Sequence, residues 1–222
     1  MLSRLLQISS KRLNLNPRGL LSAKTVALAR PQVSHTPIRN YGKTPKTPDL
    51  IYVPHVFRWL KTKVQLKYLQ KTWDPEFTEG AFIYGTTRAV CRITEIIHDN
   101  RPEELDNLMT SVARQKLKEV MKTRLTKNQK SIIKLRPEDI KILVPIAVHF
   151  KSLKSSKKDC TITLRILALK WVRSKAGPMR LVLVALQTEF QRDYSVKINS
   201  NWNISAFDIL ECVVLPTAPS SR

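Results

Sequence analysis

The hydrophobic pattern changes period once along this chain, near Arg136, and this change limits the possible folds. Before it, apolar residues recur every three or four positions, as in helices packed by one face. After it, apolar and polar residues alternate in short segments rich in β-branched residues, as in strands. Helices followed by strands predict an α+β fold, with N-terminal helices packed on a roughly four-stranded antiparallel sheet.

Four segments have the strand pattern, and hairpin-sized turns separate them. In the second segment, alternating apolar residues from Ile162 to Ala168 should share one face of the sheet. Pro145 has no backbone N–H, so the first strand should lie at an edge or contain a bulge there. The predicted strands are Ile140–Phe150, Cys160–Val172, Met179–Phe190 and Trp202–Leu215.

Three helical segments precede the strands. A basic helix covers 55–72, and a second covers Pro75–His98, with Asp74 as its possible N-cap and proline at its first position. The third has the clearest helical period in the chain, from Leu105 to Met121.

The N-terminal leader contains no acid before Asp49 and is rich in basic residues, leucine and serine. This composition is typical of a mitochondrial transit peptide, which we predict over 1–41. Arg39 lies two positions before Tyr41, an arrangement that resembles a matrix processing site, so we place cleavage near Tyr41–Gly42. The alternative is a disordered basic arm that binds nucleic acid or acidic lipid.

The rest of the chain remains strongly basic after this leader. Residues 1–41 carry seven basic residues and no acid, so their removal lowers the formal charge from +22 to +15. A charge this large calls for a partner or an anionic surface. No segment approaches the ~18–20 apolar residues of a membrane span, so we expect the mature protein to be soluble or peripheral to a membrane. The predicted parts are a Pro-rich linker over 42–54, a basic amphipathic helix over 55–73, a helix–sheet domain over 74–216 and a disordered tail over 217–222.

The basic helix is the candidate binding site. An apolar stripe runs along it, formed by Phe57, Leu60, Val64 and Tyr68. Three interpretations are open: a solvated helix docked on the domain by its stripe, a helix lying on an anionic membrane, or a contact with RNA phosphate. The candidate binding residues are Arg58, Trp59, Lys61, Lys63, Lys67 and Lys71.

Signals for catalysis are weak, and the sequence favours a protein that is not an enzyme. It contains no Gly-rich phosphate loop and no zinc spacing, so we expect no metal or other cofactor and no small-molecule substrate. Tyr84, His149 and Asp208 are the candidates to line an enzyme pocket, while odd spacing predicts Asp208 and Glu211 on opposite faces of the last strand. We predict that the three cysteines are thiols in the core: Cys91, Cys160 and Cys212.

Two segments resemble the Tim44-like domain family. The run PHVFRWLKTKVQLKYLQKTWDPEFTEGAF, residues 54–82, is similar to the segment that opens the family's folded domain. The run EFQRDY, residues 189–194, followed by NWNI at 201–204, is similar to a second family segment, and the leucine-rich helix near 103–119 has a similar pattern. The matching positions of the first run are Pro54, Phe57, Trp59, Lys61, Lys63, Phe77, Glu79, Gly80 and Ala81.

The resemblance implies a cone-shaped fold and a matrix protein that works by contact near the inner membrane. The implied partners are the matrix AAA protease and a small inner-membrane client, such as the regulatory subunit of the calcium uniporter, which the protein would sort or protect. Two alternatives within the family are a protein of the mitochondrial large ribosomal subunit, which would tether ribosomes to the membrane, and a peripheral subunit of the import motor.

Overall fold

The computed structural model describes residues 47–106, 108–152, 158–173, 178–195 and 201–216. The predicted leader over 1–41, its processing site at Arg39, Tyr41 and Gly42, and the predicted tail over 217–222 lie outside these residues. The described chain has helices followed by one four-stranded antiparallel sheet, which confirms the α+β prediction.

Four α-helices precede the sheet, with short helical turns between some of them. They are α1 (Val56–Tyr68), α2 (Glu79–Asp99), α3 (Ser111–Thr123) and α4 (Lys127–Ile132). A π-turn over Leu69–Trp73 extends α1, and 3₁₀ turns lie at Pro102–Leu105 and Pro137–Asp139. The strands are β1 (Ile140–Ser152), β2 (Lys158–Arg173), β3 (Met179–Asp193) and β4 (Asn203–Val214).

The strand predictions are confirmed to within a few residues at each end. The spatial order β1-β2-β3-β4 follows the chain, so each strand pairs with its sequence neighbour, as hairpin connections require. Pro145 lies in the edge strand β1 at a register irregularity, between its pairing with Leu164 and that of Ala147 with Thr163. The missing N–H of the proline therefore removes no bond from the sheet interior.

One face of the sheet and the helices form the main core. The alternating residues of β2 from Ile162 to Ala168 are fully buried there, as predicted. Helix α2 contributes Val90, Ile93 and Ile97, at helical spacing, to the same cluster. A smaller apolar cluster lies apart from it, and its buried members are Ile142, Leu167 and Ala185.

Helix α2 begins four residues later than predicted, and Asp74 does not cap it. The N-cap is Thr78, whose Oγ1 accepts a hydrogen bond from the backbone N–H of Ala81 at 3.3 Å. The Asp74 carboxylate instead accepts bonds from Arg192 Nη1 at 2.7 Å and the Tyr194 hydroxyl at 3.0 Å. A long-range ion pair with two donors competes successfully with a local cap, which offers one neutral N–H.

The third predicted helix, from Leu105 to Met121, is interrupted in the structure. A 3₁₀ turn ends at Leu105, Met109 forms a bridge with Ile204 of β4, and α3 begins only after Thr110. The backbone N–H of Thr110 donates to the carbonyl of Ile204 at 2.9 Å, which a continuous helix would not allow. The prediction of a continuous helix was wrong because Leu105 and Met109 are buried here without a helical backbone between them, so their spacing does not identify a helix.

Candidate partner-binding surface

Most of the apolar stripe of α1 faces away from the rest of the described protein, and only its last residue, Tyr68, contacts the domain, with its ring 5.3 Å from that of Phe150. Phe57 is 78% exposed and Val64 is 61% exposed, and Leu60 and Tyr68 are also exposed. The interpretation in which this stripe docks the helix on the domain is therefore wrong.

A different face of α1 makes the contacts with the domain. Thr62 and Leu66 are its buried residues, and Leu69 of the π-turn is fully buried behind them. At about 100° per residue, Thr62 and Leu66 lie on the side of the helix opposite Phe57. The sequence predicts the apolar stripe, but the structure buries the opposite and less apolar face of α1.

The exposed stripe lies in a segment, 51–68, that is rich in exposed apolar side chains. Of the twelve large hydrophobic side chains that are exposed among the described residues, eight lie between Ile51 and Tyr68. Isolated exposed hydrophobics are ordinary, but a concentration of this kind marks a surface that meets another molecule.

Most of the predicted basic residues are exposed on or just after the same segment. Arg58, Lys61, Lys67 and Lys71 are exposed. Lys61 and Lys67 border the stripe on opposite sides, as their positions in the helix require. Lys63 differs, because its Nζ lies 2.7 and 2.8 Å from the two carboxylate oxygens of Glu79, so its charge is locally compensated.

The two tryptophans of the basic segment have different environments. Trp59 is half-exposed on α1, as an interfacial aromatic would be. Trp73 instead packs into an aromatic cluster, with ring centroids 5.1 Å from Phe150 and 5.7 Å from Tyr194. Trp73 therefore anchors the end of the basic segment and does not extend its outer surface.

Two cavities lie between α1 and the edge strand β1, and no sequence pattern predicted them. The larger has a volume of about 560 Å³. It is lined by residues 52–55, Arg58, Trp59, Thr62, residues 141–146 and Arg165. The smaller, of about 270 Å³, lies farther along the same strand. These lining residues are far apart in sequence, so periodicity cannot reveal the cavities.

The candidate pocket residues Tyr84, His149 and Asp208 do not come together. His149 lies on β1 and Asp208 on β4, the two opposite edges of the sheet, and Tyr84 is exposed on α2. Three strand spacings of about 4.8 Å place the two edge backbones roughly 14 Å apart. Asp208 forms an ion pair with Lys116 at 3.1 Å.

The predicted separation of Asp208 and Glu211 is wrong. A register irregularity in β4 leaves Leu210 as an extra residue, with Asp208 opposite Gln187 and Glu211 opposite Ala185. Positions 185 and 187 share a face of β3, so the bulge brings both carboxylate positions to that same face.

The cysteines fit the prediction of core thiols. Cys160 and Cys212 are buried, and Cys91 is half-buried against the core. Burial raises the pKa of Cys91 to about 11, helped by the charges of Asp139 and Glu138, and raises that of Cys160 to about 12. These thiols are therefore protonated at neutral pH. The described residues contain no cluster of three metal-ligating side chains.

Within the described ranges, no helix combines the length and hydrophobicity needed to cross a bilayer. No family model matches the chain, and a search of curated proteins found no match.

Proposed function

We propose that this protein is a non-enzymatic adaptor at the matrix face of the mitochondrial inner membrane, and that the stripe of α1 rests on anionic lipid. The supporting observation is the exposed stripe of Phe57, Leu60 and Val64 with uncompensated lysines beside it. A helix with this arrangement inserts its apolar side at the headgroup boundary while its lysines reach the phosphates.

The helix–sheet domain then remains free to hold protein partners. By the Tim44-like resemblance, these are the matrix AAA protease and a small inner-membrane client, such as the calcium uniporter regulatory subunit, which the adaptor sorts or protects. Recovery of that protease with an inner-membrane client on the tagged protein, purified from gently solubilised mitochondria, tests this part. Recovery of neither would contradict it.

Vesicle binding tests the membrane surface. Each lysine near an anionic surface contributes about 1 kcal/mol, so Lys67→Gln with Lys71→Gln should weaken binding to vesicles containing anionic lipid about thirtyfold. Phe57→Ser should weaken it further by removing inserted apolar surface. The matched control is Lys122→Gln with Lys127→Gln, which removes the same charge from exposed positions on α3 and α4. Equal losses in the two double variants would contradict a role for α1.

The second candidate function is attachment to the large subunit of the mitochondrial ribosome. The +15 formal charge of residues 42–222 favours it, because a basic protein binds RNA phosphate. Sedimentation separates the two functions: a ribosomal protein co-migrates with the large subunit and dissociates at high salt, whereas the adaptor does not sediment with it.

A further inference from the structure

Helix α1 leaves a groove along the outer edge of β1. The two cavities described above share the lining residues Arg58, Thr62 and Ile146, so they adjoin, and together they are termed the channel. The larger cavity lies near the start of α1, and the smaller one includes Gln65. Near its end, α1 closes against the strand, where the ring of Tyr68 lies 5.3 Å from that of Phe150.

The lining of this channel shows that it follows the edge of the sheet. Nine consecutive residues of β1, from Lys141 to His149, line the two cavities together. A cavity on one face of a sheet is lined by alternate residues, whereas consecutive residues meet at the edge of a strand. In the strand order β1-β2-β3-β4, β1 is an edge strand, and the backbone groups on its outer side have no partner among the other named strands.

The charges around the channel all have one sign. Arg58, Lys61, Lys141 and Arg165 line it, and no described lining residue carries a carboxylate. The side chain of Lys141 donates to the carbonyl oxygen of Glu138 at 2.9 Å, so its charge meets no carboxylate there.

Arg165 is the most informative of these cations. It is half-buried, its Nη2 donates to Gln187 Oε1 at 2.9 Å, and its Nε is buried without a hydrogen-bond partner. A partly buried guanidinium bound only to a neutral amide lacks the anion that offsets its desolvation. A carboxylate in the channel would supply that anion.

We infer that the channel binds an extended acidic segment of a partner protein, which adds to the sheet as a strand beside β1. Peptides commonly bind in this way to an open sheet edge, where the backbone gives affinity and side-chain pockets give specificity. Nine strand residues span about 30 Å, enough for a segment of similar length. Apolar side chains of the segment would contact Trp59, Ile142 and Ile146, and its carboxylates would face the cations.

Charge excludes two other occupants. Residues 1–46 of this chain contain nine basic residues and no acid, so they would repel the channel. A second copy of β1 has the same difficulty, because its strand carries Lys141, His149 and Lys151 and no acid. The channel lies on the side of α1 that carries Arg58 and Thr62 and adjoins the stripe at Lys61. It is a second site beyond the proposed membrane contact, and variants away from Lys61 test the two sites independently.

Fluorescence anisotropy with labelled octapeptides, in which glutamate alternates with valine, leucine or phenylalanine, tests the inference on the full chain. At least one of these octapeptides should bind saturably to the protein. The same octapeptides with lysine in place of glutamate should not bind. N-methylation of alternate residues should abolish binding in one register only, because one edge of an added strand bonds to β1. No saturable binding, or equal binding of both methylated series, would overturn the inference.

Two variants connect binding to the channel. Arg165→Gln should weaken peptide binding at least tenfold, the effect of losing one charge-assisted hydrogen bond. Lys141→Glu, at an exposed position, should weaken peptide binding in the same direction. Lys67→Gln with Lys71→Gln should leave it unchanged. If Arg165→Gln instead reduced binding to anionic vesicles and left peptide binding intact, the channel would hold lipid and the inference would be wrong.

Discussion

Replacing Asp74 by alanine should lower the free energy of unfolding by about 3–5 kcal/mol, the cost of removing one member of a buried ion pair. Asp74 and Arg192 qualify as buried, because their side chains are 9% and 18% exposed. The variant leaves the Arg192 guanidinium without its carboxylate and the hydroxyl of Tyr194 without its acceptor.

Thermal unfolding measures this loss. For a chain of this size, each 1 kcal/mol lowers Tm by about 2–4 °C, so the expected fall is about 6–20 °C. The matched control is Glu76→Gln, an exposed carboxylate two residues away, which should change stability by no more than about 0.5 kcal/mol. If Asp74→Ala cost no more than this control, the ion pair would not hold the start of the domain to β3.

A double variant then separates the cost of the unpaired Arg192 charge from the cost of the lost contact with Asp74. Arg192→Met in the Asp74→Ala background removes the uncompensated charge and replaces it with an apolar chain of similar length. It should recover part of the lost stability, because the unpaired charge and not the missing contact dominates the cost. Additive losses from the two substitutions would show that they act independently.

The remaining predictions concern α1, one helix cap and one thiol. Leu66→Ala should lower the free energy of unfolding by about 2–5 kcal/mol because Leu66 is buried, whereas Phe57→Ser should change it little; equal effects in urea titrations would contradict the observed orientation of α1. Thr110→Ala removes the N-cap of α3 and should cost about 1 kcal/mol by the same assay, and Thr123→Ala is a comparison outside the cap. Cys91 has a folded pKa of about 11 against an ordinary value of 9.0, so its alkylation should remain slow at pH 9, and stability should fall as pH rises from 9 to 11, where the unfolded chain ionises first. Fast alkylation at pH 9, with the protein still folded, would contradict that burial.

Local pattern was enough to predict the sheet. The alternation from Ile162 to Ala168 reflects a strand with one buried face, and the turn-forming residues between strands leave room only for hairpins. Pro145 could be assigned to an edge or a bulge because a proline has no backbone N–H to donate to a ladder, and the structure shows both. These inferences hold because they depend on residues within a few positions of one another.

The interruption before α3 and the role of Asp74 needed tertiary structure. A buried apolar residue repeats at the same spacing whether the backbone between is helical or bridged to a distant strand, as Met109 is to Ile204. The capping signal at Asp74 is local, but its carboxylate meets Arg192, 118 positions away along the chain. A local preference, such as that of aspartate for an N-cap, is overridden when a residue distant in sequence forms a stronger bond with the same side chain.

The sequence by itself determined that the chain has helices followed by a four-stranded antiparallel sheet and that its basic helix has an apolar stripe. Only the tertiary structure decided that the stripe points outward, that Thr62 and Leu66 make the contact with the domain, and that a cationic channel runs beside β1. The physical reason is that periodicity reports which residues of an element share a face, while the direction of that face depends on what distant segments bring against it.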